Sequence, residues 1–242
     1  MFRRLLSLDK TREILKQNLS PKPIGVEEVH LSEAHGRVLA EDVVAPIDVP
    51  PFNRATVDGY AVRAEDTFGA EEDGPVALEV CGDSTIGEPP SVAVKKHMTA
   101  GIATGAPLPR GADAVVMLEY TVREDNTILI HRAVSRGENV MRVGSDIRKG
   151  KTVLKRGERI SSREVGVLAA LGTTQVAVYK RPKVAVVSTG AEIVEPREPL
   201  SPGKIYDINA FTLSAAVREC GGEPVNLGII PDDTNQLKSA LK

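Results

Sequence analysis

The chain has 242 residues, 41% of them apolar, which suffices for one large or two ordinary folded domains and excludes default disorder. Lys and Arg number 31 against 33 Asp and Glu, and the net charge of −2 excludes bulk attraction to nucleic acid or anionic membranes. Four Tyr, four Phe and no Trp exclude a stacking platform of many aromatics, so a ligand must be held mostly by backbone, hydroxyls and charges.

The N-terminal MFRRLLSLDK has an apolar run broken by Ser7 and Asp9, too short for a signal-peptide core. No stretch approaches the roughly 20 apolar residues of a membrane span. Only Cys81 and Cys220 are present, which fits a reducing compartment and a cytoplasmic protein. Residues 8–19 place Leu8, Leu15 and Leu19 on one helical face, with Ser7 as cap. The run I-D-V-P-P-F at 47–52 breaks helix and central strand alike, so a domain boundary is expected near residue 50. From 52 to 138 short β-like runs follow: VALEV (76–80), SVAVK (91–95), AVVMLEYTV (114–122) and TILIH (127–131), the last two flanking a hairpin turn at Asp125-Asn126.

Ser161-x-x-Glu164 reads as a capping box for a helix that stops at Gly172. Next, KVAVVSTG (183–190) holds a continuous apolar run, as in a strand buried on both faces of a parallel sheet. Asn209 is expected to cap a helix ending at Gly221-Gly222, EPVNLGII (223–230) reads as a second strand, and Asp233-Thr234-Asn235-Gln236 opens a second helix. The order is β-α-β-α, in doubly wound style. The last helix reaches Lys242 without a stop signal, and two strands with two helices cannot cover both faces of such a sheet. A chain ending inside its last domain is therefore expected.

Five segments could carry chemistry. Asp58 in PPFNRATVDGYAVRAED (50–66) can bind a hard cation or accept a proton, and Gly59 lets backbone approach a ligand closely; a plain turn is the alternative. Thr104-Gly105 in GIATGAPLPRGADAVVMLE (101–119) offers a hydroxyl and backbone N–H groups to an oxyanion, or is a simple loop. RGENVMRVGSDIRKGKT (136–152) fails as a Walker A loop, because five residues rather than four separate Gly144 from Gly150 and the chain after Lys151-Thr152 reads as extended. Its Asp146, Arg142, Arg148 and Lys149 make an anion-facing or merely solvated surface. Ser188-Thr189-Gly190, with Glu192 beside them, end the first parallel strand, where open α/β sheets bind ligands. Asp207 and Asn209 sit at a helix N-terminus, suited to an anion or to capping alone. The histidines at 30, 35, 97 and 131 lack metal-site spacing, and neither Cys-x-x-Cys nor Gly-x-Ser-x-Gly occurs.

Taken in order, PPFNRATVDGYA, TGAPLPRGADAVVMLE, GENVMRVGSDIRKG, VGVLAALGTTQVAVYKRPKVAVVSTGAEIV and PGKIYDINAFTL resemble the molybdopterin molybdenumtransferase family, which includes the C-terminal domain of gephyrin. The resemblance covers residues 5–242. It implies the last step of molybdenum cofactor synthesis, in which adenylylated molybdopterin and molybdate, or tungstate as the alternative oxyanion, give the metallated pterin and AMP with Mg²⁺. It implies a mixed α and β multidomain fold: residues 1–50 with 139–180 form an elongated discontinuous domain, 51–138 an inserted β-rich module, and 181–242 part of a three-layer α/β/α molybdopterin-binding domain. A homodimer and a molybdopterin adenylyltransferase are the implied protein partners, with no nucleic acid and no membrane.

Position by position, the resemblance assigns catalysis to Asp58, Thr104 and Glu192. Metal binding falls to Asp58, Asp146, Glu192 and Asp207, and substrate binding to Gly59, Thr104, Gly105, Ser188, Thr189, Gly190, Asp207 and Asn209. Thr104 and backbone donors would hold anionic oxygens. The family's F-D-N-S-A-M-D-G-Y is FNRATVDGY here, so Asn53 and Arg54 replace an acid and an amide; Ser145 stands where Glu is common, and Ala191 where Asp is common. Family members continue into a further strand, a Ser-Gly-Gly loop and a β-rich domain, so an incomplete enzyme is expected. The alternative is a non-catalytic dimerisation or scaffold module of gephyrin type. A molybdopterin adenylyltransferase shares the α/β domain but leaves residues 1–180 without account.

Overall fold

A computed structural model of the chain describes residues 6–240. Residues 1–5, part of the stretch read against a signal peptide, and Leu241-Lys242, the end of the last expected helix, lie outside the described residues. The elements run α1 (Leu8–Asn18), β1 (Val26–His30), β2 (Val43–Val44), β3 (Arg54–Ala55), β4 (Gly59–Val62), β5 (Val76–Ser84), β6 (Met98–Ile102), β7 (Ala114–Met117), β8 (Thr121–Glu124) and β9 (Thr127–Ile130). They continue with β10 (Val140–Met141), β11 (Thr152–Leu154), α2 (Ser162–Ala170), β12 (Gln175–Tyr179), β13 (Lys183–Thr189), β14 (Ile193–Val194), β15 (Ile205–Tyr206), α3 (Asn209–Glu219), β16 (Glu223–Ile230) and α4 (Thr234–Ala240). The fold is mixed α and β. The chain divides into two compact units, one of Asp42–Lys155 with Ala170–Gly172, the other of the remaining residues.

The Asp42–Lys155 unit is built on a six-stranded sheet of order β7-β4-β6-β5-β9-β8, antiparallel except for the β5–β6 pair. Strand periodicity sorts its residues onto two faces. Val62, Leu78, Val116, Ile128 and Ile130 enter one apolar cluster, whereas Ala55, Ala61, Ile102, Ala106 and Val115 enter another. Gly59 opens β4, and a Cβ there would lie 1.9 Å from the Val116 carbonyl oxygen, so only glycine lets β4 and β7 pair at this point. The β8–β9 hairpin turns at Asp125-Asn126 as expected, Asp125 taking φ +53°. SVAVK does not form a strand. There the Asp66 carboxylate accepts the His97 N–H (2.9 Å), His97 turns the chain with φ +61°, and the strand is the next segment, MTAGI. In the same unit, β2 pairs with β11 and β3 with β10. The extended β11 after Lys151-Thr152 agrees with the rejection of a P-loop.

In the other unit, β1 pairs antiparallel with β12 from Val26↔Tyr179 to His30↔Gln175, and Val29, Leu39, Ile160, Leu168, Val176 and Val178 are buried. The capping box forms: the Ser161 N–H donates to Glu164 Oε2 (2.8 Å), and the Arg163 N–H to Ser161 Oγ (3.2 Å). Ser7 caps α1 by accepting from the Lys10 N–H (3.3 Å), yet no residue of α1 is buried, so Leu8, Leu15 and Leu19 stay open. The parallel β13–β16 pair also forms. Its apolar run is only partly covered: Val186 is buried, but Val184 and Val225 are exposed, because among the described residues β13 pairs with β16 alone and is packed chiefly by α3. Asn209 is the first residue of α3 rather than its cap. Ile208 is already helical, and the Asp207 carboxylate two residues earlier accepts the Ala210 N–H (2.9 Å).

Candidate functional site

Within the Asp42–Lys155 unit, two backbone segments bring Asp58 and Thr104 together. The Leu108 N–H donates to the Asn53 carbonyl (2.8 Å), the Ala55 N–H to the Ala106 carbonyl (3.0 Å), and the Gly105 N–H to the Ala55 carbonyl (2.9 Å). This seam ends with Asp58, whose Oδ1 accepts both the Thr104 N–H (2.7 Å) and the Thr104 hydroxyl (2.9 Å). The backbone hydrogen bond, aided by that of the hydroxyl, holds the Asp58 carboxyl below its ordinary value of 3.8. Asp58 is therefore an exposed, ionised carboxylate with both bonds on one oxygen, leaving Oδ2 as an acceptor.

The loop does not offer the N–H groups expected for an oxyanion. Those of Thr104, Gly105 and Ala106 are all bonded, the last to the Ala103 carbonyl (2.9 Å), so the site presents acceptors rather than donors. A Cβ at Gly59 would meet the Val116 carbonyl, whereas Gly105 has φ +85° and open space where a Cβ would be. Asp146 lies on an exposed loop in the same unit and accepts from the Ser145 hydroxyl (3.4 Å).

Two departures from the family pattern have structural duties there. Asn53 Oδ1 accepts the Val143 N–H (2.8 Å), so an amide oxygen supplies the acceptor that an acid would. Arg54 rests its guanidinium on Met141 Sδ (3.2 Å) across the β3–β10 pair. A cleft of about 640 Å³ includes Asn53, Asp113, Arg136 and Arg142. Arg136 pairs with Asp113 (3.2 Å), while Arg142 lies against Gly137. Motif wording marks Asn53 and Arg54 as departures but not their partners, and it passes over Arg136, because these roles depend on chain segments far away in sequence.

In the other unit, β13 delivers Ser188 and Thr189 to the turn at Gly190, which has φ +142° and lies under the Glu192 carboxylate. Ser188 is 5% exposed, and its Oγ meets no hydrogen-bond partner in the structure. An unsatisfied buried hydroxyl costs about 1–3 kcal/mol. Asp207 is 6% exposed and held by its own N–H to the Val194 carbonyl (2.9 Å); Asn209, Thr189 and Glu192 are exposed. Asp207 lines a cleft of about 400 Å³ with Arg197, Phe211 and Asn226. Asn226 accepts the Gly228 N–H (2.8 Å) at an irregularity in β16, and the glycine within that apolar strand is the signal that could have found it.

Among the described residues, no group of three or more His, Cys, Asp or Glu side chains is placed to hold a metal ion. Exposed, ionised Asp58 suits Mg²⁺ nonetheless, since that ion commonly takes one or two carboxylates and completes its shell with water and phosphate oxygens.

Residues 6–172 match the model of the MoeA N-terminal region (domain I and II), and residues 185–242 that of a probable molybdopterin binding domain. A molybdopterin molybdenumtransferase of Haemophilus influenzae is 37% identical over 98% of this chain and 57% of its own length. Molybdopterin molybdenumtransferase 2 of Mycobacterium tuberculosis is 40% identical over 88% of this chain and 53% of its own length. The crystal structure of a molybdopterin biosynthesis MoeA protein from Pyrococcus horikoshii superposes with a TM-score of 0.85 at 47% identity, covering 98% of this chain and 60% of that one. The chain thus spans a little over half the length of these curated relatives.

Proposed function

Because the chain belongs to the MoeA family of molybdopterin molybdenumtransferases, we propose that it carries part of the machinery that inserts molybdate, or tungstate, into adenylylated molybdopterin and releases AMP. The observation that carries this reading is the Asp58–Thr104 pair: an exposed carboxylate kept ionised by two hydrogen bonds on a single oxygen. Such a group fits a hard cation beside a phosphoanhydride. Mg²⁺, when bound, offsets the negative charge of the phosphate groups. Asp58 would hold it through Oδ2, with Asp146 as a further carboxylate of the same unit; in the other unit Glu192 and Asp207 are the corresponding candidate carboxylates, one oxygen of Asp207 being committed to α3.

Thr104 acts as a positioning residue for Asp58, and its hydroxyl oxygen, whose proton goes to Asp58, faces the substrate as an acceptor. Buried Ser188 Oγ and the turn Thr189-Gly190 would receive polar atoms of the pterin substrate, with Asn209 in the exposed first turn of α3. The residues of the 1–50 and 139–180 segments form one domain in this reading, supported by the β1–β12 and β2–β11 pairings, with 51–138 inserted and 181–242 as part of the pterin-binding domain. The cysteines Cys81 and Cys220 are both free, which supports a cytoplasmic setting. No helix among the described residues is long and apolar enough to cross a membrane.

A homodimer is proposed on the open apolar side chains Leu8 and Leu15 of α1 and Leu19 just after it, and a strictly monomeric species in sedimentation at high concentration overturns it. A molybdopterin adenylyltransferase would supply the adenylylated substrate. The enzymatic test measures AMP release from adenylylated molybdopterin with molybdate and Mg²⁺ in the protein as its gene encodes it. Asp58→Ala is expected to lower turnover at least about tenfold, a loss of roughly 1.4 kcal/mol of transition-state stabilisation. Undiminished turnover removes Asp58 from the reaction.

A further inference from the structure

Away from the residues assigned to the reaction, a pocket of about 210 Å³ opens in the unit that holds β1, β12 and β13. Its charged lining is Arg37, Arg159, Lys180, Arg181 and Glu219, with Cys220 beside them. Lys183 of β13 pairs with Glu223 of β16, so the pocket, lined by residues just before each, lies at the amino ends of this parallel pair. Thr189 ends the seven-residue β13, about 20 Å further along the strand. The pocket is therefore separate from the Ser188–Gly190 turn.

Backbone hydrogen bonds fix its walls. The Gly36 N–H donates to the Ile160 carbonyl (2.7 Å), the Ile160 N–H to the Arg37 carbonyl (2.8 Å) and the Tyr179 N–H to the Val38 carbonyl (2.9 Å). The Glu223 N–H donates to the Pro182 carbonyl (2.8 Å), which ties the turn after α3 to the stretch carrying Lys180 and Arg181. Arg37, its side chain only 9% exposed, donates through Nη2 to Glu27 and to the Tyr179 carbonyl (2.9 Å). Its Nε and Nη1 have no hydrogen-bond partner among the described residues. The Arg159 guanidinium lies over Gly36, where a Cβ would stand 3.9 Å from Nη2.

Among the described residues, Arg159, Lys180, Arg181 and Glu219 form no salt bridge. The end of α3 does not supply the missing partner either. Its Ala216, Val217 and Arg218 carbonyls already accept the N–H groups of Cys220, Gly222 and Gly221. Four cations thus face two carboxylates, Glu219 in the lining and Glu27 beside Arg37, and two positive charges are left over. Like charges gathered in a partly enclosed space repel unless an anion lies between them.

We propose that this pocket binds a tetrahedral oxyanion of the phosphate class, with Arg37 as its buried anchor and Arg159 and Arg181 as its clamps. The surplus of two charges matches a dianion. A planar guanidinium presents a fork of N–H donors that fits phosphate oxygens, and the two bonds on Arg37 Nη2 hold that fork in place before the ligand arrives. At about 30 Å³ per water, the space equals about seven waters, room for one such anion with part of its hydration.

Cys220, exposed at the pocket, is a built-in reporter. The test follows its labelling by the uncharged reagent iodoacetamide, read by peptide mass spectrometry on the protein as its gene encodes it, in inorganic phosphate or in sodium chloride of equal ionic strength. Phosphate is expected to slow the labelling saturably, and chloride to leave it unchanged. Arg159→Gln combined with Arg181→Gln is expected to raise the half-protecting phosphate concentration at least about tenfold, because each change removes a charge-assisted hydrogen bond. Arg37 is kept in that variant so that Glu27 retains its partner. No protection beyond that in chloride, or the same half-protecting concentration in the double variant, overturns the assignment. Ribose 5-phosphate separates the two sources of this chemistry: protection equal to that of inorganic phosphate assigns the pocket to a phosphomonoester group, and weaker protection assigns it to the free ion. None of these readouts depends on Asp58, whose role is read from AMP release.

Discussion

Asp58 shows how a single acceptor is tuned without burial. The N–H and hydroxyl of Thr104 both stabilise its charged form, the backbone bond more than the hydroxyl, so its folded pKa lies below 3.8. A depressed carboxyl contributes stability that is fully present above the unfolded pKa and is lost as pH falls through the lower folded value. Thr104→Val removes the hydroxyl bond and keeps the backbone one. The Asp58 pKa should then rise part of the way toward 3.8, followed by a carboxyl-carbon NMR titration; an unmoved value means that the hydroxyl bond does not form in solution. The motif VDGYA makes Asp58 and Gly59 visible in the sequence, but their reasons differ. Asp58 is exposed and chemically available, whereas Gly59 answers to the Val116 carbonyl on β7, a contact 57 residues away that no local pattern encodes.

Local signals fared best where the element closes on itself. The α1 cap, the α2 capping box, the Asp125-Asn126 hairpin and the opening of α4 each involve neighbours a few residues apart, and all are present. Ser161→Ala removes the acceptor for the Arg163 N–H and should destabilise the protein by about 1 kcal/mol, measured by chemical denaturation with circular dichroism. No change in midpoint would mean that α2 is held by packing of Leu168 alone. Glu164, drawn below its ordinary 4.5 first by the Ser161 side chain, adds stability above the unfolded pKa that fades as pH drops through the folded one. Elements whose identity rests on distant partners depart from their local signal. SVAVK has strand propensity but loses its place to MTAGI because Asp66, from another segment, captures the His97 N–H and turns the chain first. Asn209 looks like a cap, yet the helix starts earlier because Asp207 is the better-placed acceptor.

Across the whole chain, the two units differ in how completely their sheets are covered. The six-stranded sheet has apolar clusters on both faces, whereas β13 and β16 form a two-stranded parallel pair with Val184 and Val225 exposed. Two-stranded pairs are marginal alone, and sparse burial lowers the free energy of local opening. Hydrogen exchange of this chain should therefore protect amides of β4 and β6 longest and release those of β13 and β16 earlier. Equal protection would show that α3 and α4 stabilise the pair more than the exposed side chains suggest. The sequence alone determined the poverty of aromatic platforms, the caps of α1 and α2 and the family, because composition, short-range hydrogen bonds and motif wording are properties of the chain itself. Only the tertiary structure decided that the Thr104 loop presents acceptors instead of free N–H groups, that Ser188 Oγ is buried without a partner, and that Phe52 opens onto a proline-walled slot. Those outcomes depend on which distant backbone groups meet: the Asn53 carbonyl beside Phe52 finds its partner, the Leu108 N–H, more than fifty positions away.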